Sequence, residues 1–212
     1  MKKLFVLAGI ALLSLTANAQ EKKAGLQGAW FATAQIGYSQ TKQGDAKATN
    51  TTILPIVGTF VAPTTAVGLG FGSIGIKNED KVGTNANTNL IVVQPLVRKY
   101  WGVANNFYFF GQLAAPIITG KEKESDLKVS QYGLSMSGGL DFFVTKNFSV
   151  EFSYNLANFS QTTLTPKAGD KTTVTDFSVA HVASVESGYN GALGGSNPTL
   201  TTPLSFGFKF VF

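Results

Sequence analysis

In the stretch Leu204-Ser205-Phe206-Gly207-Phe208-Lys209-Phe210-Val211-Phe212, every even position is large and apolar, while the odd ones are Ser, Gly, Lys and Val. A period of two is the mark of a β-strand whose two faces meet unlike surroundings. The same stripe recurs upstream. Phe148, Val150, Phe152, Tyr154 and Leu156 alternate with Ser149, Glu151, Ser153 and Asn155, and Tyr132, Leu134, Met136, Leu140 and Phe142 share a stretch with Gln131, Ser135, Ser137 and Asp141. A soluble sandwich would turn such stripes into a core, whereas a membrane-spanning barrel turns them to lipid and lines its interior with the small or polar face. Repetition of the one-sided pattern in strand after strand, and the finish on Phe212 with no polar tail, favour the barrel.

The chain also repeats itself. Pro55-Ile56-Val57-Gly58-Thr59-Phe60-Val61 superposes on Pro95-Leu96-Val97-Arg98-Lys99-Tyr100-Trp101, with a looser third copy at Gly138-Gly139-Leu140-Asp141-Phe142-Phe143-Val144. Each copy leads into a short polar turn and a new strand opening at Ala66, Phe107 or Phe148, so the unit is a tight β-hairpin. Between hairpins lie longer polar segments at Gln40 to Asn50, Lys77 to Asn87, Gly120 to Asp126 and Ser160 to Pro198. Short turns alternating with long polar segments suit a barrel whose ends face two compartments. The expected strands are Ala29–Ser39, Thr52–Val61, Ala66–Ile76, Asn89–Trp101, Phe107–Thr119, Lys128–Phe143, Phe148–Phe159 and Leu200–Phe212. The predicted fold is therefore all-β, a closed antiparallel up-and-down transmembrane barrel of eight strands. A further hairpin over Thr172 to Val185 would raise the count to ten.

Ahead of the barrel, Met1-Lys2-Lys3, the apolar run Leu4 to Leu15 and the triplet Ala17-Asn18-Ala19 have the three-part layout of a secretory signal peptide. Cleavage after Ala19 would leave residues 20–212 as one barrel domain. The apolar run is shorter than the roughly 20 residues a spanning helix needs. There is no cysteine, so neither disulfides nor thiolate metal sites are available. A net charge of +5 with only 14% charged residues does not suit a nucleic-acid binder.

The copies at Pro55 and Pro95, the opening Ala66-Val67-Gly68-Leu69-Gly70-Phe71 and the alternating finish on Phe212 together resemble the small eight-stranded outer-membrane β-barrels, the "porin family" whose better-known members are of the outer-membrane protein A and X type. The resemblance implies a bacterial outer-membrane location, insertion by periplasmic chaperones and the barrel-assembly machinery, and an assembly signal on Phe208, Phe210 and Phe212. It does not imply a channel, because about eight strands leave an interior just wide enough for side chains to fill.

Four charged residues fall on the interior-facing parity: Arg98, Asp141, Glu151 and Lys209. Repeat alignment sets Gly58, Arg98 and Asp141 at one position near the turns, beside Phe60, Tyr100 and Phe143. On a lipid face Arg98 would cost roughly 2–4 kcal/mol near the midplane. Inside, two cations and two anions at one depth make a charge network, with Glu151 expected to pair with Lys209 or Arg98. Trp30, Trp101 and Tyr154 are expected at membrane interfaces, and Lys99 is expected to snorkel toward the same zone. His181, the sole histidine, stands near Asp176, Ser178, Ser184 and Glu186 without the spacing of a hydrolase. No metal-ligand or cofactor motif is present, and Gly68, Gly70 and Gly72 lack the helix and Lys-Ser/Thr of a phosphate loop. The leading function is thus structural or interactive and non-enzymatic, with outer-membrane lipid as surroundings and the segment 160–198 as contact surface for an extracellular ligand. A passive pore for small solutes is the alternative, and a lipid-modifying barrel enzyme the third reading.

Overall fold

The computed structural model describes residues 25–80, 83–179 and 204–212. The leader expected to end at Ala19 lies outside them. Ten antiparallel strands are described: β1 (Trp30–Gln43), β2 (Ala46–Ala62), β3 (Thr65–Asp80), β4 (Gly83–Ala104), β5 (Phe107–Ala114), β6 (Ile117–Glu122), β7 (Lys128–Thr145), β8 (Phe148–Thr165), β9 (Thr172–Val179) and β10 (Leu204–Val211). Together they make eight staves. β5 and β6 are one stave interrupted at Ala115-Pro116, since both lie between β4 and β7. β7 occupies one edge of β8 along its whole length, so β10 and β9 must share the other edge, β10 beside Phe148 to Tyr154 and β9 beside Ala157 to Leu164. β1 then meets β10 through Phe31↔Val211, Ala32↔Phe210 and Thr33↔Lys209, with Trp30 and Phe212 exchanging both backbone hydrogen bonds. The ring closes through these pairs at the tight-turn end, where it removes the unpaired edge that hydrocarbon would penalise; beyond Thr33 the closing side of β1 has no pairing among the described residues.

One end carries tight turns, at Pro63-Thr64, Asn105-Asn106 and Lys146-Asn147. Asn106 adopts φ +64°, a left-handed conformation that asparagine tolerates. At the other end the polar segments expected between strands are themselves largely β-ribbon. β1 and β2 run on to a two-residue turn at Gly44-Asp45, and β8 continues past Phe159 to Thr165, where β9 folds back on it. The reason is pairing: threonine and asparagine satisfy a ladder as well as aliphatic residues once both strands are already in register. A tilted span needs only about 9–11 residues, and β4 has 22. The staves therefore extend well beyond their apolar outer band.

That band is continuous. Ile53 and Val61 on β2, Ile91 and Trp101 on β4, and Tyr132 and Val144 on β7 bracket outward-facing residues that are apolar or glycine apart from Thr59 and Lys99 near the tight turns. Inside, the two halves of the wall differ. Apart from Val129 and Phe143 on β7, Leu164 on β8 and Val211 on β10, these three strands line the lumen with small or polar groups, as the alternation predicts, but β2, β3, β4 and β6 present Leu54, Ile56, Ile74, Ile76, Leu90, Val92, Leu96 and Ile118, all buried. Eight staves leave no room for a column of water, so bulky residues on one half fill the space that Ser, Gly and Asn leave on the other. Interior glycines serve the same fit: a Cβ on Gly58 would run into the Phe31 ring, and one on Gly139 into Phe110.

Candidate functional site

The strand register dictates the charge layer. Asp141 on β7 lies directly opposite Glu151 on β8, both facing inward. Like charges in directly opposed positions are destabilising, so cations must be brought to them. Lys209, one stave further on β10, forms a fully buried ion pair with Asp141 and stands 3.9 Å from Glu151. Arg98 reaches across the lumen from β4, donating from Nη1 to Glu151 Oε2 at 2.6 Å.

The remaining donors are also engaged. Arg98 Nε and Nη2 donate to Gln112 Oε1 at 3.0 and 2.7 Å. The Tyr100 hydroxyl accepts from both Arg98 (3.2 Å) and Lys209 (3.1 Å). Aromatic faces complete the cation shells. The guanidinium carbon of Arg98 sits 4.1 Å from the centre of the Phe110 ring, and the Lys209 ammonium is 5.0 Å from that of Tyr100 and 5.2 Å from that of Phe143. The Ser149 hydroxyl, opposite Lys209 in register, and the second oxygen of Asp141 are buried without a hydrogen-bond partner among the described residues.

The structure thus brings Arg98, Asp141, Glu151 and Lys209 into one buried cluster. Sequence reasoning missed Gln112 and the bridging role of Tyr100. Gln112 shares its parity with Tyr108, Phe110 and Ala114, and this was the available signal. Below the charges, toward the tight turns, Phe31, Phe60, Tyr100, Tyr108, Phe110 and Phe143 pack edge-on or tilted, with centroids 5.4 to 6.4 Å apart, into an aromatic floor.

Trp30 and Trp101 stand exposed on the outer wall at the tight-turn end, Trp101 against Phe109. Tyr154 is set apart from them, further along β8 and opposite Gly138. Lys99 faces outward and reaches the turn, its ammonium donating to the hydroxyls of Thr64 (2.7 Å) and Thr65 (3.3 Å). Phe208, Phe210 and Phe212 lie on the outer wall, the first two flanking Phe148. Asp176 and Ser178 are on β9; His181, Ser184 and Glu186 lie outside the described residues. Among the described residues no group of three metal-ligating side chains converges.

At the opposite end, Glu122 ties the β6–β7 connection. Its carboxylate accepts from the backbone N–H of Asn87 (3.1 Å), Glu124 (2.9 Å) and Ser125 (2.6 Å) and from the Ser125 hydroxyl. Burial pushes this carboxyl up, but the Ser125 hydroxyl and the three backbone donors outweigh it and hold the group at about 2, below its ordinary 4.5. With the folded value depressed, the tie is fully present above pH 4.5 and is lost as pH falls toward about 2. The amide resonance of Ser125 should titrate with a midpoint near that lower value; a midpoint at the ordinary carboxylate value would contradict the tie.

No protein-family model matches the chain, and no curated protein matches it in sequence. Among solved structures, the crystal structure of the outer membrane protein OprG from Pseudomonas aeruginosa is similar, with a TM-score of 0.47 and 16% identity over 91% of this chain and 99% of that one.

Proposed function

We propose that this chain is an integral barrel of the bacterial outer membrane, exported and inserted by periplasmic chaperones and the barrel-assembly machinery, with a closed lumen and a structural or surface-contact role. The observation that carries the reading is the inversion of the wall: a closed ring whose exposed face is apolar and whose buried face holds Arg98, Asp141, Glu151 and Lys209. In water that arrangement would leave an extended greasy belt wet; in a bilayer it puts every group where it is stable. The charge layer and the aromatic floor beneath it set buried side chains across the lumen at two successive depths, which argues for a plug over a passage. Both carboxylates of the charge layer are engaged by cations, and the buried Glu122 by backbone donors, which favours a non-enzymatic role. Of the segment 160–198, residues to 179 are the β8–β9 ribbon, a projecting surface suited to contact, and the rest lies outside the described residues.

Cell fractionation with surface proteolysis, joined to planar-bilayer recording, tests this. The protein should fractionate with the outer membrane, be cut only at the ribbon end, and pass no steady current. A mature chain recovered folded from the aqueous fraction without detergent would end the membrane reading, and a steady ohmic current would replace the plug with the pore.

A further inference from the structure

On the outer wall of the ribbon end, Lys121 of β6 lies directly opposite Lys128 of β7, both outward-facing and exposed. Asp126, in the connection between them, pairs with Lys121 and also with Lys167 at 3.5 Å. Two lysines thus share one carboxylate and Lys128 has no ion pair among the described residues, while the neighbouring Glu122 is turned inward and committed to backbone donors. Lysine often blunts an open sheet edge, but β6 is paired on both sides, with β4 and β7, and β7 with β6 and β8. No edge is protected here, and two like charges stand face to face in a position that disfavours folding. An anion from outside the chain would resolve the conflict.

Height along the wall says where that anion lies. The last exposed apolar residues on these staves are Ile117 and Tyr132, each four residues from its lysine. At about 3.3 Å per residue and a tilt near 40°, the lysines stand roughly 10 Å above the apolar band. A lysine stem can span the difference down to headgroup depth. Between band and lysines the outward positions are Thr119, Ser130 and Thr163, with Gln161 beside Tyr132 at the edge of the band, a collar of hydroxyl and amide groups suited to sugar. The pattern recurs across the barrel, where Lys42 opposes Lys47 and Glu79 is shared by Lys47 and Lys77, with Asp45 in the adjoining turn.

Resting on the membrane reading above, we propose that Lys121, Lys128 and Lys167 form a binding site for the phosphate of a phosphorylated glycolipid headgroup in the outer leaflet. The collar hydrogen-bonds the sugar, and the three ammonium groups surround the phosphate.

Fluorescently labelled bis-phosphorylated glycolipid titrated into the folded barrel in nonionic micelles tests this. Each lysine near an anionic surface contributes about fivefold, so Lys121→Gln with Lys128→Gln should raise the half-saturating concentration roughly thirtyfold. Asp126→Asn, which removes the competing anion and keeps a residue tolerant of its φ of +57°, should tighten binding. Dephosphorylated glycolipid should bind far more weakly, and inorganic phosphate should not displace the lipid. Unchanged affinity in the double variant, no tightening in Asp126→Asn, or binding of inorganic phosphate as tight as that of the glycolipid would overturn the site. A wild-type chain that folds without micelles would instead overturn the membrane reading beneath it, a separate readout.

Discussion

Glu151→Ala should lower the stability of the barrel by about 3–5 kcal/mol, the usual result of removing one partner from a buried charge pair. The reason is geometric. Glu151 is the only anion within reach of Arg98 among the described ion pairs, at 2.6 Å, and it also stands 3.9 Å from Lys209. Without it, Arg98 keeps Gln112, Tyr100 and the Phe110 ring, which are neutral, and an uncompensated guanidinium is left buried inside the barrel. Heat-modified gel mobility of the purified barrel, followed against temperature, gives the readout. Replacing both partners by apolar residues of similar size, Arg98→Met with Glu151→Leu, should recover most of the loss, because such swaps are often neutral once no charge is stranded. If Glu151→Ala migrated and melted as wild type, the charge layer would have no part in holding the ring together.

How this layer arises shows what a single sequence discloses. Alternation places Arg98, Asp141, Glu151 and Lys209 on the inward parity, and the shared distance to a tight turn in the repeat copies places them at similar depth. Which cation meets which anion was not legible, because it depends on the stagger between staves that are far apart in the chain: Arg98 and Glu151 meet across the lumen, not across a hairpin. The aliphatic half of the interior was hidden for another reason. In Ile53-Leu54-Pro55-Ile56-Val57 both faces are apolar, so periodicity loses its contrast exactly where one face meets the lumen and the other the surroundings. The fifth stave reads as unbroken from Phe107 to Thr119, because alternation on both sides runs past Ala115-Pro116 and the proline's break shows only in the pairing of its neighbours; the Thr-rich β9 falls within the further hairpin that the sequence offers over Thr172 to Val185.

Phe110→Ala should cost about 3–5 kcal/mol and, unlike Glu151→Ala, should resist rescue by any polar partner. Phe110 is fully buried and touches both layers at once: its ring packs against Tyr100 with centroids 5.9 Å apart, and its face receives the Arg98 guanidinium. The wall opposite is built around it, since Gly139 on β7 is paired with Phe110 in register and has no room for a Cβ. Truncation therefore leaves a cavity that the backbone cannot close, bordered by glycine on one side and a charge on the other. Phe110→Leu, which keeps most of the volume but loses the π-face, separates the two contributions: it should recover the greater part of the stability if filling the lumen dominates. Chemical unfolding of the barrel in micelles measures both. Phe110→Ala with wild-type stability would mean that the aromatic floor is not packed, and with it would fall the argument that the interior is closed to solutes.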